Sequence, residues 1–550
     1  MNTLATPRFN SYRSPVLARR GMVASSQPLA SQAGLAMLMQ GGNAADAAVA
    51  MAAALNVTEP ASTGIGGDCF ALYYEARTQA VTALNGSGRT PAALSLELID
   101  RQGLGEGGEL PPTHAHTVTV PGACAGWCDL IARHGRLPLG EILAPAIRLA
   151  EDGFPVAPLA AYFWAGGVAS HLGSALGGQA LTVDGRAPRA GEIFRNPGLA
   201  RTLRAVAEGG APAFYRGAIA QCLAQAVQAA GGVLTVEDLA AHASTWDEPI
   251  NTIYRDVRVW ECPPNGQGLT SLLALNLLEG FELAALDPMG VERWHLLIEA
   301  LRLAFADTRW YVADPRVVPV PTVGLLSKAY AAERRGIIDA RRATLDTRHG
   351  TPREQSGTVY LCAVDGEGNA CSFINSNYMS FGTGIVPEGP AGSWGFCLQN
   401  RGHLFSLDPS HPNALAPRKR PYHTIIPGMI TRAADDSLYA PFGVMGGFMQ
   451  PQGHVQVVVG LVDDAQDPQS ALDRPRFCIT PATAGGAVEL EAGLPEALVR
   501  DLAAHGHPLY PGVDGYGRSV FGRGQIIRRG QDGVLWGGSD PRADGCAMGF

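Results

Sequence analysis

One threonine of this chain, Thr358, stands where its hydroxyl group could act as a nucleophile. It directly follows Gly357 and opens a run of apolar, largely β-branched and aromatic residues at 358–364. A threonine hydroxyl needs a base, and the free α-amine of an N-terminal threonine, with a pKa of about 8, can take its proton near neutral pH. A cut between Gly357 and Thr358 would release that amine beside the hydroxyl. Glycine at the cut would let the hydroxyl approach the preceding carbonyl without a Cβ in the way.

The same stretch also predicts an ordinary structural element. Two apolar runs, 358–364 and 370–374, flank a cluster of Gly, Asp and Asn at 365–369, which is typical of a β-hairpin. From the pattern alone, a core hairpin with a polar rim is the preferred interpretation. Ser376 lies on the second strand of that hairpin, where its hydroxyl could bond to the hydroxyl of Thr358.

A resemblance to a known family reverses this preference. The pattern Thr-x5-Val-Asp-x-x-Gly-Asn-Ala, followed by Phe-Gly-Thr-Gly-Ile-Val, runs from Thr358 to Val386. It resembles the γ-glutamyltranspeptidase family, and the likeness extends over almost the whole chain from about Gly21. Members of that family are N-terminal-nucleophile hydrolases, made as one chain that cuts itself before a threonine. The resemblance therefore implies that Thr358 is the nucleophile and that the cut falls between Gly357 and Thr358.

A pair of glycines, Gly446 and Gly447, follows a probable strand. The family uses the backbone N–H groups of this pair as an oxyanion hole. Glycine suits that role because the backbone donors must come close to the developing negative charge. A tight turn after a strand explains the pair equally well. We take Thr358, Ser376, Gly446 and Gly447 as the candidate catalytic residues.

The expected contacts to the substrate depart from the family's pattern. Transpeptidases carry an arginine that holds the α-carboxylate of the substrate; Ser87 stands at that place, and the arginine nearby is Arg89. Either Arg89 reaches the carboxylate from a shifted position or the contact is missing. The aspartate that binds the α-amine is replaced by Leu404, and an apolar side chain cannot pair with an ammonium group.

A second departure lies after Lys419-Arg420-Pro421, where two serines of the family are replaced by His423 and Thr424. We expect His423 to donate a hydrogen bond to an acid or carbonyl group of the substrate, although an isolated histidine is more often structural. The candidate substrate-binding residues are Arg89, Asn377, Arg401, His423 and Thr424. A small acid amide without an α-amine would suit His423, Arg89 and Arg401.

The resemblance implies an α/β (α+β) fold with four layers, αββα, in which helices flank two stacked antiparallel sheets. It also implies a precursor that splits into a large subunit, 21–357, and a small subunit, 358–550, which remain one globular unit. Residues 1–20 are expected to form an N-terminal arm. The charged stretch 334–357 is expected to be a mobile segment before the cut.

Composition excludes several classes of function. The chain has 550 residues and a net charge of −8, so no basic surface for nucleic acid or anionic membranes is expected. No apolar run approaches the roughly 20 residues of a membrane-spanning helix, and the first residues show no apolar signal core, which predicts a cytoplasmic protein. The scattered cysteines predict buried thiols rather than a metal site or disulfides. No cofactor is expected.

The sequence thus predicts a self-cleaving amidohydrolase that acts through an acyl-enzyme on Thr358. Its variant motifs look like the branch that includes oxamate amidohydrolase, so a small amide or a γ-glutamyl compound is the expected substrate. A glutaryl-type (cephalosporin) acylase remains an alternative. The alternative from another class is an uncut relative that binds ligands in the same cleft without catalysis.

Overall fold

The computed structural model describes residues 13–105, 108–346 and 357–550. The helices, numbered in chain order, are α1 Pro28–Met39, α2 Ala44–Thr58, α3 Leu96–Arg101, α4 Ala123–His134, α5 Leu139–Asp152, α6 Pro158–Gly167, α7 Pro197–Tyr215, α8 Ala218–Ala229, α9 Val236–Ala240, α10 Gly268–Leu278, α11 Val291–Tyr311, α12 Thr322–Leu325, α13 Lys328–Arg335, α14 Met449–Val462, α15 Pro468–Asp473 and α16 Glu496–Ala504.

The strands are β1 Val16–Ala18, β2 Met22–Ser25, β3 Asp68–Glu75, β4 Ala80–Gly86, β5 Phe154–Pro155, β6 Ile193–Phe194, β7 Thr245–Asp247, β8 Ile250–Tyr254, β9 Val257–Glu261, β10 Gly357–Val364, β11 Ala370–Tyr378, β12 Glu388–Gly389, β13 Gly392–Ser393, β14 Gly428–Arg432, β15 Leu438–Met445, β16 Phe477–Thr480, β17 Ala487–Glu491, β18 Leu509–Val513, β19 Arg523–Arg529, β20 Leu535–Ser539 and β21 Cys546–Gly549.

Two seven-stranded antiparallel sheets form the centre of the molecule. One sheet has the strand order β21-β2-β10-β11-β3-β4-β7, and we call it the nucleophile sheet because it contains Thr358. The other has the order β1-β20-β19-β15-β14-β9-β8, and we call it the glycine sheet because the Gly446–Gly447 pair follows one of its strands. The two sheets pack face to face, with β10 against β15 and β19.

Helices cover the outer face of each sheet. Helix α2 packs against β10 and β11 and also contacts α1, α4 and α5, while α10 and α14 pack on the glycine sheet. The fully buried side chains of Tyr360 on β10 and Phe442 on β15 belong to the apolar interior. The layer order is therefore helix, sheet, sheet, helix, and the expected four-layer αββα arrangement is confirmed.

The predicted hairpin forms the middle of the nucleophile sheet. Strands β10 and β11 pair in antiparallel register from Val359 opposite Asn375 to Val364 opposite Ala370. The turn between them is held by Asp365, whose carboxylate accepts hydrogen bonds from the N–H groups of Glu367 and Asn369, each at 3.0 Å. A register shift between Gly357 and Val359 places Thr358 at an irregularity where the strand begins.

Helix α2 supports this hairpin from the outside. Asn43 caps the helix by accepting hydrogen bonds from the N–H groups of Ala45 and Asp46, and the Asp46 carboxylate in turn accepts one from the N–H of Asn43 at 2.8 Å. This reciprocal capping box satisfies backbone donors at the helix end. Every residue of α2 is buried, and its small side chains allow close packing against the sheet.

Two expected segments lie partly outside the described residues. Of the N-terminal arm expected at 1–20, residues 13–20 are described, and Val16–Ala18 form β1 at the edge of the glycine sheet. Of the pre-cleavage segment expected at 334–357, residues 347–356 lie outside the described residues. Its described part is held by hydrogen bonds from the Ala343 N–H to the His505 carbonyl and from the Thr344 N–H to the Glu299 carboxylate.

None of the helices in the described ranges combines the length and the apolar character that are needed to cross a membrane.

Candidate active site

Thr358 lies at the beginning of β10, and its side chain is fully buried. Its hydroxyl oxygen is 3.1 Å from the hydroxyl oxygen of Ser376 on the neighbouring strand β11. The Ser376 oxygen already accepts hydrogen bonds from the Tyr378 N–H at 2.8 Å and from Nη2 of Arg401 at 3.1 Å. Either hydroxyl of the pair can donate to the other.

Arg401 is a fully buried cation next to this hydroxyl pair. Its Nη1 donates to the hydroxyl of Thr424 at 2.7 Å, and its guanidinium carbon lies 4.5 Å from the centre of the Tyr378 ring. Burial lowers the pKa of Arg401 to about 10, against the opposing effect of Asp68. Among the described residues, its Nε has no hydrogen-bond partner. Its Nε–H group is thus a buried donor that none of the described residues uses.

Asp68 is the buried carboxyl group that faces Arg401. It accepts hydrogen bonds from the N–H groups of Gly122 at 3.1 Å and Gly88 at 3.2 Å. Burial raises the pKa of Asp68 to about 7, although Arg401 and these N–H groups act in the opposite direction. The carboxyl group therefore changes its charge near neutral pH, within electrostatic reach of Arg401.

His423 is bonded to Asp68 rather than exposed to the cleft. Its Nε2 lies 3.1 Å from Oδ2 of Asp68, and its Nδ1 accepts a hydrogen bond from the Ile425 N–H at 3.4 Å. The pKa of His423 is well below its ordinary value, first because of burial and then because of Arg401 and Arg420. The imidazole is therefore neutral, with its proton on Nε2 directed at Asp68. A direct contact between His423 and the substrate stays a prediction.

Gly446 and Gly447 form the turn between β15 and helix α14. Their φ angles are +131° and +58°, a region that glycine enters without strain. The N–H of neither glycine donates to another of the described residues. The carbonyl groups instead accept from the first turn of α14, at Met449 and Gln450. Two unpaired N–H groups at a helix N-terminus are an arrangement that can stabilise an oxyanion.

Gln267, which the sequence pattern did not indicate, connects the two halves of the site. Its Nε2 donates to the Gly447 carbonyl at 2.8 Å and to the Thr424 carbonyl at 2.6 Å, while its Oε1 accepts from the Tyr422 hydroxyl at 3.1 Å. The residue is fully buried just before α10. It fixes the Gly447 peptide relative to Thr424 and, through Thr424, to Arg401. An isolated glutamine carries no sequence signal for this role.

A cavity of about 490 Å³ opens beside the glycine turn. Gly446 belongs to its wall, together with Met379 and Ser380 from the chain that follows β11. Large apolar side chains make up much of the rest, and among them are Tyr162, Phe163, Phe448 and Met449. The cavity thus offers an apolar space for part of a substrate next to the candidate oxyanion donors.

Two of the predicted substrate contacts lie apart from this group. Arg89 is half-buried, and its pKa is lowered by burial while Asp314 and Asp247 counteract that effect. The amide nitrogen of Asn377 donates to the Pro60 carbonyl at 3.3 Å. Since neighbouring residues of a strand point to opposite faces, Asn377 and Ser376 face opposite sides of the nucleophile sheet. The structure thus brings Thr358, Ser376, Arg401 and Thr424 together, but not Arg89 and Asn377.

Leu404, which stands where transpeptidases carry an amine-binding aspartate, packs against an apolar cluster. The cluster includes the buried side chains of Tyr422, Phe448 and Ala482, and the last two also line the cavity. An ammonium group at this place would find no carboxylate from residue 404.

Comparison with known proteins places the chain in a family. The family model described as gamma-glutamyltranspeptidase matches residues 30–550. The chain belongs to the gamma-glutamyltranspeptidase family. It is 35% identical to the glutathione hydrolase-like YwrD proenzyme of Bacillus subtilis, with 97% of this chain and 99% of the relative covered. It is 34% identical to the oxamate amidohydrolase proenzyme of Klebsiella pneumoniae, with 96% and 98% covered.

A solved structure gives the same result for the fold. The crystal structure of a cephalosporin acylase from Bacillus halodurans matches with a TM-score of 0.90 and 46% identity, over 100% of this chain and 99% of the other. The gamma-glutamyltranspeptidase family consists of self-cleaving N-terminal-nucleophile hydrolases, and this chain has their fold. The predictions of family, fold class and hydrolase activity are confirmed.

Proposed function

We propose that this chain is a self-cleaving amidohydrolase in which Thr358 is the nucleophile and that its substrate is the amide of a small acid. The observation that carries the proposal is the hydroxyl pair of Thr358 and Ser376, 3.1 Å apart, with the Arg401 guanidinium on the same serine oxygen. The pair holds the Thr358 hydroxyl in place, and the guanidinium supplies a partner for a carboxylate.

The first reaction cuts the precursor. The Thr358 hydroxyl adds to the Gly357 carbonyl, and the bond to the Thr358 nitrogen breaks, which leaves an ester between the two residues. Water then hydrolyses this ester, so that one water molecule is consumed and residue 357 ends in a carboxylate. The released α-amine of Thr358 becomes the base for the next reaction.

The second reaction is amide hydrolysis. The amine of Thr358 takes the hydroxyl proton while the oxygen adds to the substrate carbonyl, and the N–H groups of Gly446 and Gly447 stabilise the oxyanion. The proton passes to the leaving amine, which departs and leaves an acyl ester on Thr358. Water hydrolyses the ester and regenerates the enzyme. Each oxyanion donor lowers the barrier by about 3 kcal/mol in comparable enzymes.

The position of Arg401 favours an acid whose carboxylate is next to the scissile carbonyl. One serine hydroxyl separates the guanidinium from Thr358. In oxamate the carboxylate is bonded directly to the amide carbon, whereas in a glutaryl or γ-glutamyl group a chain of methylenes separates them. Leu404 further disfavours an α-amine, since it would leave an ammonium group without a partner.

A denaturing gel with intact-mass analysis of the purified protein tests the nucleophile. We expect two fragments, the second beginning at Thr358, and a single uncut chain for Thr358→Ala. Thr431→Ala is the matched control because Thr431 is also a buried threonine, in β14 of the other sheet. A folded wild-type protein that stays uncut would exclude this proposal and favour a non-catalytic binding protein.

A panel of amides tests the substrate class. We expect release of ammonia from oxamate and little release of amine from γ-glutamyl anilides, with or without glycylglycine as acceptor. A second candidate is hydrolysis of a larger acyl amide, and the cavity of about 490 Å³ favours it. Turnover of glutaryl amides in the absence of any turnover of oxamate would replace the small-acid proposal by this second one.

A further inference from the structure

Arg523 is a second buried cation, and it lies in the wall of the cavity rather than beside Ser376. It begins strand β19, directly opposite Met445, the residue before Gly446. Its relative exposure is 8%, and its guanidinium carbon lies 4.6 Å from the centre of the Phe163 ring, which also lines the cavity. The cation is thus held against an aromatic face close to the candidate oxyanion hole.

The carboxylates near Arg523 interact with it electrostatically and also bond to other groups. Burial lowers the pKa of Arg523, and the charges of three nearby carboxylates, Glu59, Asp540 and Asp544, act in the opposite direction. The carboxylate of Glu59 also accepts a hydrogen bond from the Ser26 hydroxyl at 2.7 Å. Asp540 pairs with Arg476 at 2.8 Å and Arg542 at 3.0 Å.

The carboxylate of Asp544 accepts hydrogen bonds from the N–H groups of Leu159 and Ala160 at the start of α6, at 2.9 and 3.2 Å. Within the described ranges, the guanidinium of Arg523 makes no hydrogen bond and no ion pair with a carboxylate. An arginine that lines a cavity, and whose N–H groups make no such bond, is placed to receive an anionic group from a ligand.

We propose that the cavity binds the leaving-group side of the amide, and that this side is an apolar, aromatic-sized amine whose carboxylate pairs with Arg523. This inference rests on the proposed function. The leaving amine departs as the acyl group stays on Thr358, so the two sides of the substrate need separate subsites. Arg401, fully buried at Ser376, serves the small acid side, whereas the open cavity beside Gly446 has room for the larger amine.

The lining of the cavity agrees with an aromatic amine. Tyr162, Phe163, Phe448 and Pro481 offer flat apolar surfaces, on which an aromatic ring can stack. The carboxylate would form a bidentate pair with the guanidinium, which recognises planar anions by geometry as well as charge. A cationic or uncharged substituent on the ring would gain nothing from Arg523.

The test compares amides that share one acyl group, the oxalyl group, and differ in the amine. The series is oxamate, N-phenyloxamate, N-(3-carboxyphenyl)oxamate and N-(3-aminomethylphenyl)oxamate. We expect kcat/KM for the carboxyphenyl amide to exceed that for the phenyl amide at least tenfold, and the aminomethyl amide to be the poorest. In Arg523→Met, the ratio of kcat/KM for the carboxyphenyl amide to kcat/KM for the phenyl amide should fall towards one. Both kcat/KM values are measured on one preparation, so a lower concentration of folded enzyme changes them equally and does not change their ratio.

Arg528→Met is the matched control, since Arg528 lies on the same strand and also stacks on an aromatic ring, that of Trp536. Arg528 is not part of the cavity wall, so this control should keep the preference for the carboxylate. An unchanged ratio in Arg523→Met would overturn the proposal.

Equilibrium binding of 3-aminobenzoate and aniline, by calorimetry, separates failure of this inference from failure of the proposed function. We expect the wild-type protein to bind aminobenzoate at least tenfold more tightly than aniline, and Arg523→Met to lose this difference. Binding without amide turnover would contradict the proposed function alone. Equal affinity for the two probes in the wild-type protein would contradict the subsite.

Discussion

At the scale of single residues, the charge beside the nucleophile is set by two buried groups, Arg401 and Asp68. The guanidinium of Arg401 connects the hydroxyls of Ser376 and Thr424. Asp68 faces it with a carboxyl group whose pKa is raised to about 7 by burial. The site thus combines one group that stays charged with one that titrates, and each gives a separate prediction.

The variants Arg401→Lys and Arg401→Met should lower kcat/KM for a small acid amide. Lysine keeps the charge but lacks the planar fork that reaches both Ser376 and Thr424. We expect a loss of about 10- to 100-fold for lysine and a larger loss for methionine, since a hydrogen bond to a charged group contributes about 1.5–3 kcal/mol. Steady-state kinetics measures the loss, and an uncharged amide serves as reference substrate.

Arg432→Met is a suitable control for this series. Arg432 lies in β14 and is also placed over a tyrosine ring, that of Tyr439, at 5.5 Å. Its guanidinium bonds to backbone carbonyl groups on the glycine sheet, away from Thr358. Similar losses in Arg401→Met and Arg432→Met would mean that Arg401 acts on stability and does not bind the carboxylate.

The variant Asp68→Asn should flatten the pH dependence of anion binding. Below pH 7 the Asp68 carboxyl group is mostly neutral, and the charge of Arg401 is available to a ligand. Above pH 7 Asp68 is ionised, pairs electrostatically with Arg401 and repels an anion. We therefore expect the inhibition constant of oxalate to rise between pH 6 and pH 8 in the wild-type protein, and to rise less in Asp68→Asn.

The comparison with the variant is essential because the α-amine of Thr358 also loses its proton in this range. That loss weakens anion binding equally in both proteins. If the inhibition constants of the wild-type protein and Asp68→Asn changed in parallel with pH, Asp68 would not be the titrating group.

At the scale of elements, the glycine turn between β15 and α14 depends on backbone geometry. Gly446 has a φ of +131°, and a Cβ added there would lie 3.1 Å from the Cα of Gly522. Gln267 holds the Gly447 carbonyl from the other side. The strand, the helix and Gln267 together determine where the two N–H groups point.

The variant Gly446→Ala should lower kcat by about 100-fold or more, because a side chain at this φ would turn the N–H away from the oxyanion. KM should change less, since the donor acts mainly in the transition state. Gly493→Ala is the control: its φ is +93°, and a Cβ there meets open space. The Gly493→Ala variant therefore has only the cost of backbone strain, about 1–3 kcal/mol. An unchanged kcat in Gly446→Ala would exclude this residue from the oxyanion hole.

Local patterns in the sequence predicted the β10–β11 hairpin correctly. The hairpin follows from its apolar runs and turn residues, which lie close together in the chain. The hydroxyl pair of Thr358 and Ser376 was also predicted, because one hairpin contains both residues.

Contacts between distant segments were not predicted. Asp68 and His423 are 355 positions apart, and Gln267 and Gly447 are 180 apart. Such pairs depend on how the two sheets stack, which no local pattern records. For the same reason the cavity and Arg523 were absent from the prediction, and His423 was interpreted from its neighbours in the chain.

At the scale of the whole molecule, the proposed cut separates strands that lie next to one another. In the nucleophile sheet, β10 and β11 from the second fragment lie between β2 and β3 from the first. In the glycine sheet, β14 from the second fragment pairs with β9 from the first. Neither fragment therefore contains all the strands of either seven-stranded sheet.

After the cut, the two fragments should behave as one folded unit. We expect them to elute together from a size-exclusion column without denaturant, and to separate only after unfolding. Thermal unfolding followed by circular dichroism and by tryptophan fluorescence should give the same midpoint, because both sheets lose strands at once. Two separate transitions, or elution of a free fragment, would contradict the prediction of one globular unit.

The two outer ends of the described chain also meet. The carbonyl of Phe550 accepts hydrogen bonds from the N–H groups of Arg19 and Arg20, at 3.2 and 2.8 Å. A short linker could therefore join residue 550 to the region of residue 13 without disturbing either sheet. A circularly permuted gene that starts at Thr358, preceded only by a removable initiator methionine, would then encode the same fold with its nucleophile already at the N-terminus. In such a protein, catalysis would be independent of self-processing.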